Sequence, residues 1–318
     1  MKHVWTAGRV VIALAIFAYV LRGFDVAAAM VALRRFSITG IEAALLLVAF
    51  DRLLMFWRWA ILIKTVTPAP PKGLARIFFE SSFMGSFLPA GVGGDAARAY
   101  QVGRQTREMG AAIASVVVDR WLGLMAVGLA GCAGVLASIA AVPDELRELT
   151  VALTILLAIG GVATLYADWM VATLLPRAVA ESKGGVAIGQ LAAALAFYRR
   201  TPRALGQVAA LSMIVQAVRI SLAWVIGQGL GISLPFSYYW VFMPLNILIV
   251  LLPLSLGGFG LPQGTMVWTL GPLGVPPTEA FLLSLLFVLA GVVSNLPGAV
   301  LYAVGRSKSE APVSEDLR

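Results

Sequence analysis

The sequence has one cysteine, Cys132, and one histidine, His3, in 318 residues. These are too few for a disulfide or a zinc site, and a Cys/His nucleophile pair is excluded with them. Charge is scarce as well. Only 13% of the residues are Asp, Glu, Lys or Arg, 60% are hydrophobic, and the mean hydropathy is +0.90. Soluble domains average about a quarter charged and about half apolar. A chain this oily cannot hide its apolar surface by folding in water, so it reads as an all-α polytopic membrane protein. Its net charge of +8, from 24 basic and 16 acidic side chains, would suggest nucleic acid in a soluble protein. Here Lys and Arg mark cytoplasmic loops instead, and no nucleic-acid partner, metal or cofactor is expected.

About 20 apolar residues span the hydrocarbon as a helix. Six segments meet or approach that length: residues 10–21, 41–63, 111–142, 149–167, 204–230 and 279–304. The first follows Lys2 and Arg9 as a signal peptide would, but it lacks a convincing cleavage site and runs into Arg22 and Asp25, so it counts as a span. Two further apolar stretches end in helix breakers. Residues 77–88 lead into Pro89-Ala90-Gly91-Val92-Gly93-Gly94, and residues 236–252 lead into Pro253-Leu254-Ser255-Leu256-Gly257-Gly258-Phe259-Gly260. Proline removes a backbone donor and glycine loosens the helix, so both stretches are expected to turn back inside the membrane as re-entrant segments, 77–100 and 236–270.

Charge placement supports this topology. With both termini inside and both broken stretches returning to their side of entry, sixteen of the 24 basic residues lie on the inner side. Arg22, Arg34, Arg35 and Arg147 lie outside, and Arg52, Arg58, Arg120 and Arg219 lie within spans. Residues 24–36 and 185–198 have the composition of interfacial helices, and the polar tail 307–318 is expected to be disordered.

The two breakers align as Leu88-Pro89-x-x-x-Gly93-Gly94 and Leu252-Pro253-x-x-x-Gly257-Gly258. Each follows a long span with an arginine in it, Arg58 or Arg219, and precedes another span. Residues 1–142 and 143–306 therefore read as half-repeats of opposite orientation, the arrangement in which rocking of two halves gives alternating access. A chance match of common membrane-helix residues is the competing explanation.

Ionised side chains inside a bilayer cost at least about 2.5 kcal/mol each and are paired or functional. Asp51, Arg52, Arg58, Glu80, Asp119, Arg120 and Arg219 lie within or near apolar segments, with Asp95 and Arg98 just after the first breaker. Mutual neutralisation, with Arg52 or Arg58 on Glu80 and Asp119 on an arginine, is one reading; for Arg58 and Arg219, snorkelling to the interface is another. Arg98 and Arg120 are the stronger functional candidates, since a guanidinium pairs bidentately with phosphate. The Gly93-Gly94 turn is expected to present backbone amides at a helix N-terminus, where anions are favoured, with Asp95 capping that helix and orienting Arg98. Together these residues describe a head-group site in a lipid-accessible cavity.

Residues 83–100, Phe-Met-Gly-Ser-Phe-Leu-Pro-Ala-Gly-Val-Gly-Gly-Asp-Ala-Ala-Arg-Ala-Tyr, resemble the signature of the lysylphosphatidylglycerol synthase transmembrane, flippase-like family. Arg58-Trp59, Asp119-Arg120 and the stretch from Pro253 to Gly260 add to the resemblance, which extends over most of the chain. It implies a bacterial inner-membrane protein related to the lipid-translocating half of the multiple peptide resistance factor, and it is similar to stand-alone relatives associated with hopanoid biosynthesis. The soluble aminoacyl-transferase domain of the full synthase is not expected, so lysine transfer is not inferred. The second half departs from the pattern, with Phe259 after its glycines and no charge between Ala280 and Val304; Gln263 and Asn295 are its polar candidates.

The expected function is a lipid translocase without chemistry. It would move an anionic phospholipid or a hopanoid-type lipid between leaflets or toward the outer membrane, with Arg98, Arg120, Gly93, Gly94 and Asp95 at the head group. Two alternatives stay open. One is a membrane enzyme acting on a lipid-linked substrate through Glu80 and Asp119; the other is a non-catalytic component bound to lipid-biosynthesis proteins.

Overall fold

The structure, a computed structural model, describes residues 25–67, 72–86, 92–137, 144–174, 176, 182–250 and 260–309. It is all-α, with no strand among the described residues. Before the first breaker come α1 (Val26–Arg34), α2 (Ile38–Val66) and α3 (Leu74–Gly85); after it come α4 (Val92–Thr106) and α5 (Met109–Ala137). The later part of the chain forms α6 (Asp144–Leu165), α7 (Ala167–Leu174), α8 (Lys183–Phe197), α9 (Pro202–Gly229), α10 (Phe236–Val250), α11 (Leu261–Leu270), α12 (Pro277–Val293) and α13 (Leu296–Ser309). Pro89, Pro253, Gly257 and Gly258, on which the breaker alignment rests, lie outside the described residues, as does the candidate span 10–21.

Local chemistry sets several helix ends. Asp25 accepts from the amides of Ala27 and Ala28 to start α1, and Ser37 accepts from Gly40 to start α2. Pro202 occupies the first turn of α9, where its missing N–H costs nothing. Gly260 begins α11, its amide donating to the buried side-chain oxygen of Gln263 at 2.6 Å. Gln263 is thus a local cap.

Among the described residues, four helical stretches are long and apolar enough to cross a membrane: Met109–Ala137, Arg147–Leu165, Pro202–Gly229 and Pro277–Val304. The expected span 41–63 lies inside α2, whose 29 residues have the length but include Glu42, Asp51, Arg52, Arg58 and Lys64. These charges lower its mean hydropathy, yet Asp51 and Arg58 are buried in the protein and Arg52 is half-buried, while Glu42 and Lys64 near the ends are exposed. The last span is interrupted, since α12 ends at Val293 and α13 begins at Leu296, with the turn at Ser294 and Asn295. Of the expected tail 307–318, residues 307–309 continue α13, and the remainder lies outside the described residues.

Both broken stretches pack as helical pairs. Val102 of α4 shares an apolar cluster with Ile77 and Phe78 of α3, while Gly94 lies against Ser81 and Gly85, so the two helices run antiparallel. Gly94 has no room for a side chain: a Cβ there would collide with the Ser81 carbonyl oxygen and the Gly85 backbone. In the later pair, the Asn246 amide donates to the Pro262 carbonyl at 2.8 Å, and Tyr239, Phe242 and Met243 of α10 join Met266 and Leu270 of α11 in the largest core cluster. Helix α13 crosses α3 so closely that a Cβ on Gly298 would collide with the Phe79 carbonyl.

Helices α2 and α9 form a long antiparallel contact in a clear register. Asp51 meets Arg219 and Arg58 meets Ser212, and between these levels Leu54 packs with Val215 and Val218. Asp51 and Arg58 lie two turns apart on α2, and Ser212, Gln216 and Arg219 follow helical spacing on α9, so polar positions on each helix face the other. In contrast, α6 exposes Leu149, Ile155, Leu156 and Ile159, a surface suited to lipid. The two expected interfacial segments are helical: α1 packs on α12 through Ala29 and Ala32, and α8 packs on α5 and α7.

Candidate functional site

The facing polar positions converge on a cavity of about 370 Å³ between α2, α3, α4, α5, α9, α12 and the turn before α13. Five arginines line it, Arg52, Arg58, Arg98, Arg120 and Arg219, together with Asp95 and Asp119. Asp51 stands directly behind, bonded to Arg219. The volume lies within the range of small-molecule sites.

One pole is built by α2, α4 and α5. The Arg58 Nε donates to Asp119 Oδ1 at 2.7 Å, and its Nη1 donates to the Ser212 hydroxyl at 3.2 Å. Arg58 and Asp119 are both buried, which excludes the snorkelling alternative for Arg58. Arg98 donates through Nη2 to Asp95 Oδ1 at 2.9 Å, with Asp119 Oδ2 3.7 Å away. The guanidinium of Arg98 lies 4.8 Å from the centre of the Trp59 ring and 5.6 Å from that of Phe78. These aromatic faces attract the cation and help fix its plane. Arg120 donates through Nε to the other oxygen of Asp95. Asp95 thus joins two arginines. It lies inside the first turn of α4, which begins at Val92, and not at the cap position expected for it, and its carboxylate pairs with Arg98.

The second pole is built by α2, α9 and the α12–α13 turn. Arg219 donates through Nε to Asp51 Oδ1 at 2.7 Å, and Arg52 Nη2 lies 3.4 Å from Asp51 Oδ2. Arg52 Nη1 also donates to Asn295 Oδ1 at 3.0 Å, while Asn295 Nδ2 donates to the Ser86 hydroxyl at 2.7 Å. Asn295 thereby connects the end of α3 to α2. Gln216 completes this wall.

Several buried polar atoms in the cavity wall have no hydrogen-bond partner: Arg52 Nε, Arg98 Nε and Gln216 Oε1. Unpaired polar atoms are costly away from water, and this is the condition of a site whose ligand completes the bonding. The carboxylates, in contrast, are each engaged by guanidinium groups, and no cluster of His, Cys, Asp or Glu suited to a metal occurs among the described residues.

The sequence-derived candidates divide. Arg98, Arg120, Gly94, Asp95, Arg58, Asp119 and Arg219 line the cavity. Glu80 does not pair with Arg52 or Arg58; it accepts from Arg76 Nε at 2.6 Å, one helical turn away and outside the cavity. A neighbour four residues off meets it more readily than a partner on another helix. The expected Gly93-Gly94 turn is instead the first turn of α4, and of the two only Gly94 is among the described lining residues. Its smallness serves the close approach of α3 and α4.

Sequence reasoning missed Ser212 and Gln216, and it gave Trp59 a place in the resemblance but no role at the site. The signal was present for the first two, since Ser212, Gln216 and Arg219 recur at helical spacing along an otherwise apolar segment.

Comparison with known proteins adds one finding. A family model described as the lysylphosphatidylglycerol synthase TM region matches residues 6–298. No curated protein matches the chain.

Proposed function

The chain belongs to the lysylphosphatidylglycerol synthase transmembrane-region family, and from that premise we propose that it is a lipid translocase that carries a phosphate-bearing lipid between the leaflets of a bacterial inner membrane. The observation that carries the reading is the cavity with five arginines among helices of membrane-spanning length. A cavity of this kind lets a charged head group leave water without entering hydrocarbon, while the lipid tails remain in the bilayer. Arginine forks suit phosphate oxygens and offer nothing comparable to a neutral polycyclic lipid, so a phospholipid is favoured over a hopanoid.

The α3–α4 and α10–α11 pairs would serve as the broken helices of two oppositely oriented halves, 1–142 and 143–306, with both termini in the cytoplasm. Engagement of each cavity carboxylate by arginine supports a binding role over acid–base catalysis, which needs a group free to exchange a proton with substrate.

The test is a vesicle assay. Purified protein is reconstituted with head-group-labelled phosphatidylglycerol, and an impermeant quencher reports exchange between leaflets. Exchange faster than in protein-free vesicles is expected, with Arg98→Ala and Arg120→Ala returning it to that background. Wild-type protein with no acceleration, or both variants at full rate, overturns the reading.

A further inference from the structure

We propose that the cavity is built for a lipid head group with two negative charges, held between its two arginine poles. This rests on the lipid-binding reading above and names the substrate class. Five arginines face three aspartates in and directly behind the cavity, an excess of two positive charges. Residues 87–91 and 251–259, which flank the paired helices, contain no ionisable side chain to offset it. An uncompensated charge in a membrane interior is costly, and a ligand of opposite charge relieves that cost. A singly charged phosphodiester would leave one positive charge uncompensated. A lysyl ester of phosphatidylglycerol, whose two ammonium groups outweigh its phosphate, would add to the excess.

The unpaired atoms place this demand at both poles. Arg98 Nε remains at the Asp95–Asp119 pole, where the guanidinium is already oriented by Trp59 and Phe78. At the other pole, Arg52 Nε remains beside Asp51 and Asn295, and Gln216 Oε1 is an acceptor for a hydroxyl of the same head group. The charges can sit on one phosphate monoester or on two linked phosphodiesters. Phosphatidic acid and cardiolipin represent these two cases.

The experiment measures binding, independently of transport. The full chain in phosphatidylcholine nanodiscs is titrated at pH 8 with phosphatidic acid, cardiolipin, phosphatidylglycerol and lysyl-phosphatidylglycerol, with bound lipid counted by native mass spectrometry. At least one dianionic lipid is expected to bind about tenfold or more tighter than phosphatidylglycerol, the scale of one desolvated charge contact. Whichever of the two binds better identifies the arrangement of the charges. Arg52→Gln should reduce the dianion-to-monoanion ratio, whereas Arg76→Gln, outside the cavity, should leave it unchanged. A wild-type pH series removes dependence on any variant's folding. Phosphatidic acid should gain affinity relative to phosphatidylglycerol between about pH 5 and 8, because the second proton of a phosphate monoester leaves near pH 6.

Equal binding of monoanionic and dianionic lipids, or preference for the lysyl lipid, overturns the proposal. The two readings fail separately: dianion preference without lipid exchange refutes the translocase alone, while exchange without dianion preference refutes this inference alone.

Discussion

Replacing Asp119 with Asn removes one negative charge from the centre of the first pole while changing shape very little. Asp119 is 2% exposed and faces two guanidiniums, with Arg58 Nε at 2.7 Å and Arg98 Nη2 at 3.7 Å. Asn can still accept one hydrogen bond from Arg58. It cannot balance the charge, so the cavity excess rises from two to three. Removing one member of a buried ion pair typically costs about 3–5 kcal/mol. The lower end applies here because Arg98 keeps Asp95 and Arg58 keeps a neutral acceptor, so Asp119→Asn is expected to destabilise by about 3 kcal/mol. Arg58→Gln in the same background removes the stranded cation and should recover at least about 1 kcal/mol, because neutral replacement of a whole buried pair is often harmless. The assay is a double-mutant cycle on reversible unfolding in mixed micelles. If the two single losses simply add in the double variant, Arg58 and Asp119 are not coupled and the account of this pole fails.

Three further outcomes follow from the packing and bonding. Gly94→Ala should destabilise by about 1–3 kcal/mol, the usual range for overpacking, and lower the thermal transition of the purified protein; an unchanged transition would mean that α3 and α4 separate without cost. Asn295→Ala removes the link between Arg52 and Ser86 and should cost about 1–3 kcal/mol, with faster hydrogen exchange at the end of α3 as the local readout. Tyr198, in the turn between α8 and α9, is fully buried and donates to the Leu62 carbonyl at 3.1 Å. Burial, followed by the nearby Asp119 charge, pushes its phenol up from the ordinary value of 10.0. The unfolded state therefore loses this proton first, and stability should fall as pH rises above about 10. Tyr198→Phe should be less stable at neutral pH but should show a shallower alkaline decline; an equal slope would contradict this assignment.

Much of the first pole was legible in the sequence because its parts are close in the chain and set in an apolar background. Asp95, Arg98, Asp119 and Arg120 are conspicuous for that reason. The second pole was less legible. Arg52 was offered Glu80 as a partner and Arg219 stood alone in its segment, and their common site depends on the antiparallel register that brings residue 51 to residue 219, across 168 positions. Gln216 and Ser212 acquire meaning only in that register. Glu80 had the right chemistry, yet its bond to Arg76 one turn away removed it from the site. The span within α2 was legible despite its charges, but hydropathy averages over both faces of a helix and does not reveal that Asp51 and Arg58 point inward.

The contact at Gly94 has a geometric consequence one turn later. Gly94 and Arg98 are four residues apart, on the same side of α4, and backbone meets backbone beneath the glycine. With no side chain intervening, that contact acts as a datum from which the height of the guanidinium is measured. Asp95 and Arg98 travel with α4, so their mutual distance survives any displacement of the helix. Arg58 belongs to α2, and Asp119 and Arg120 belong to α5. An added methyl at position 94 would therefore put the two sets out of alignment without breaking the pair inside α4, and a residue with no side chain gauges where a buried cation of the site sits.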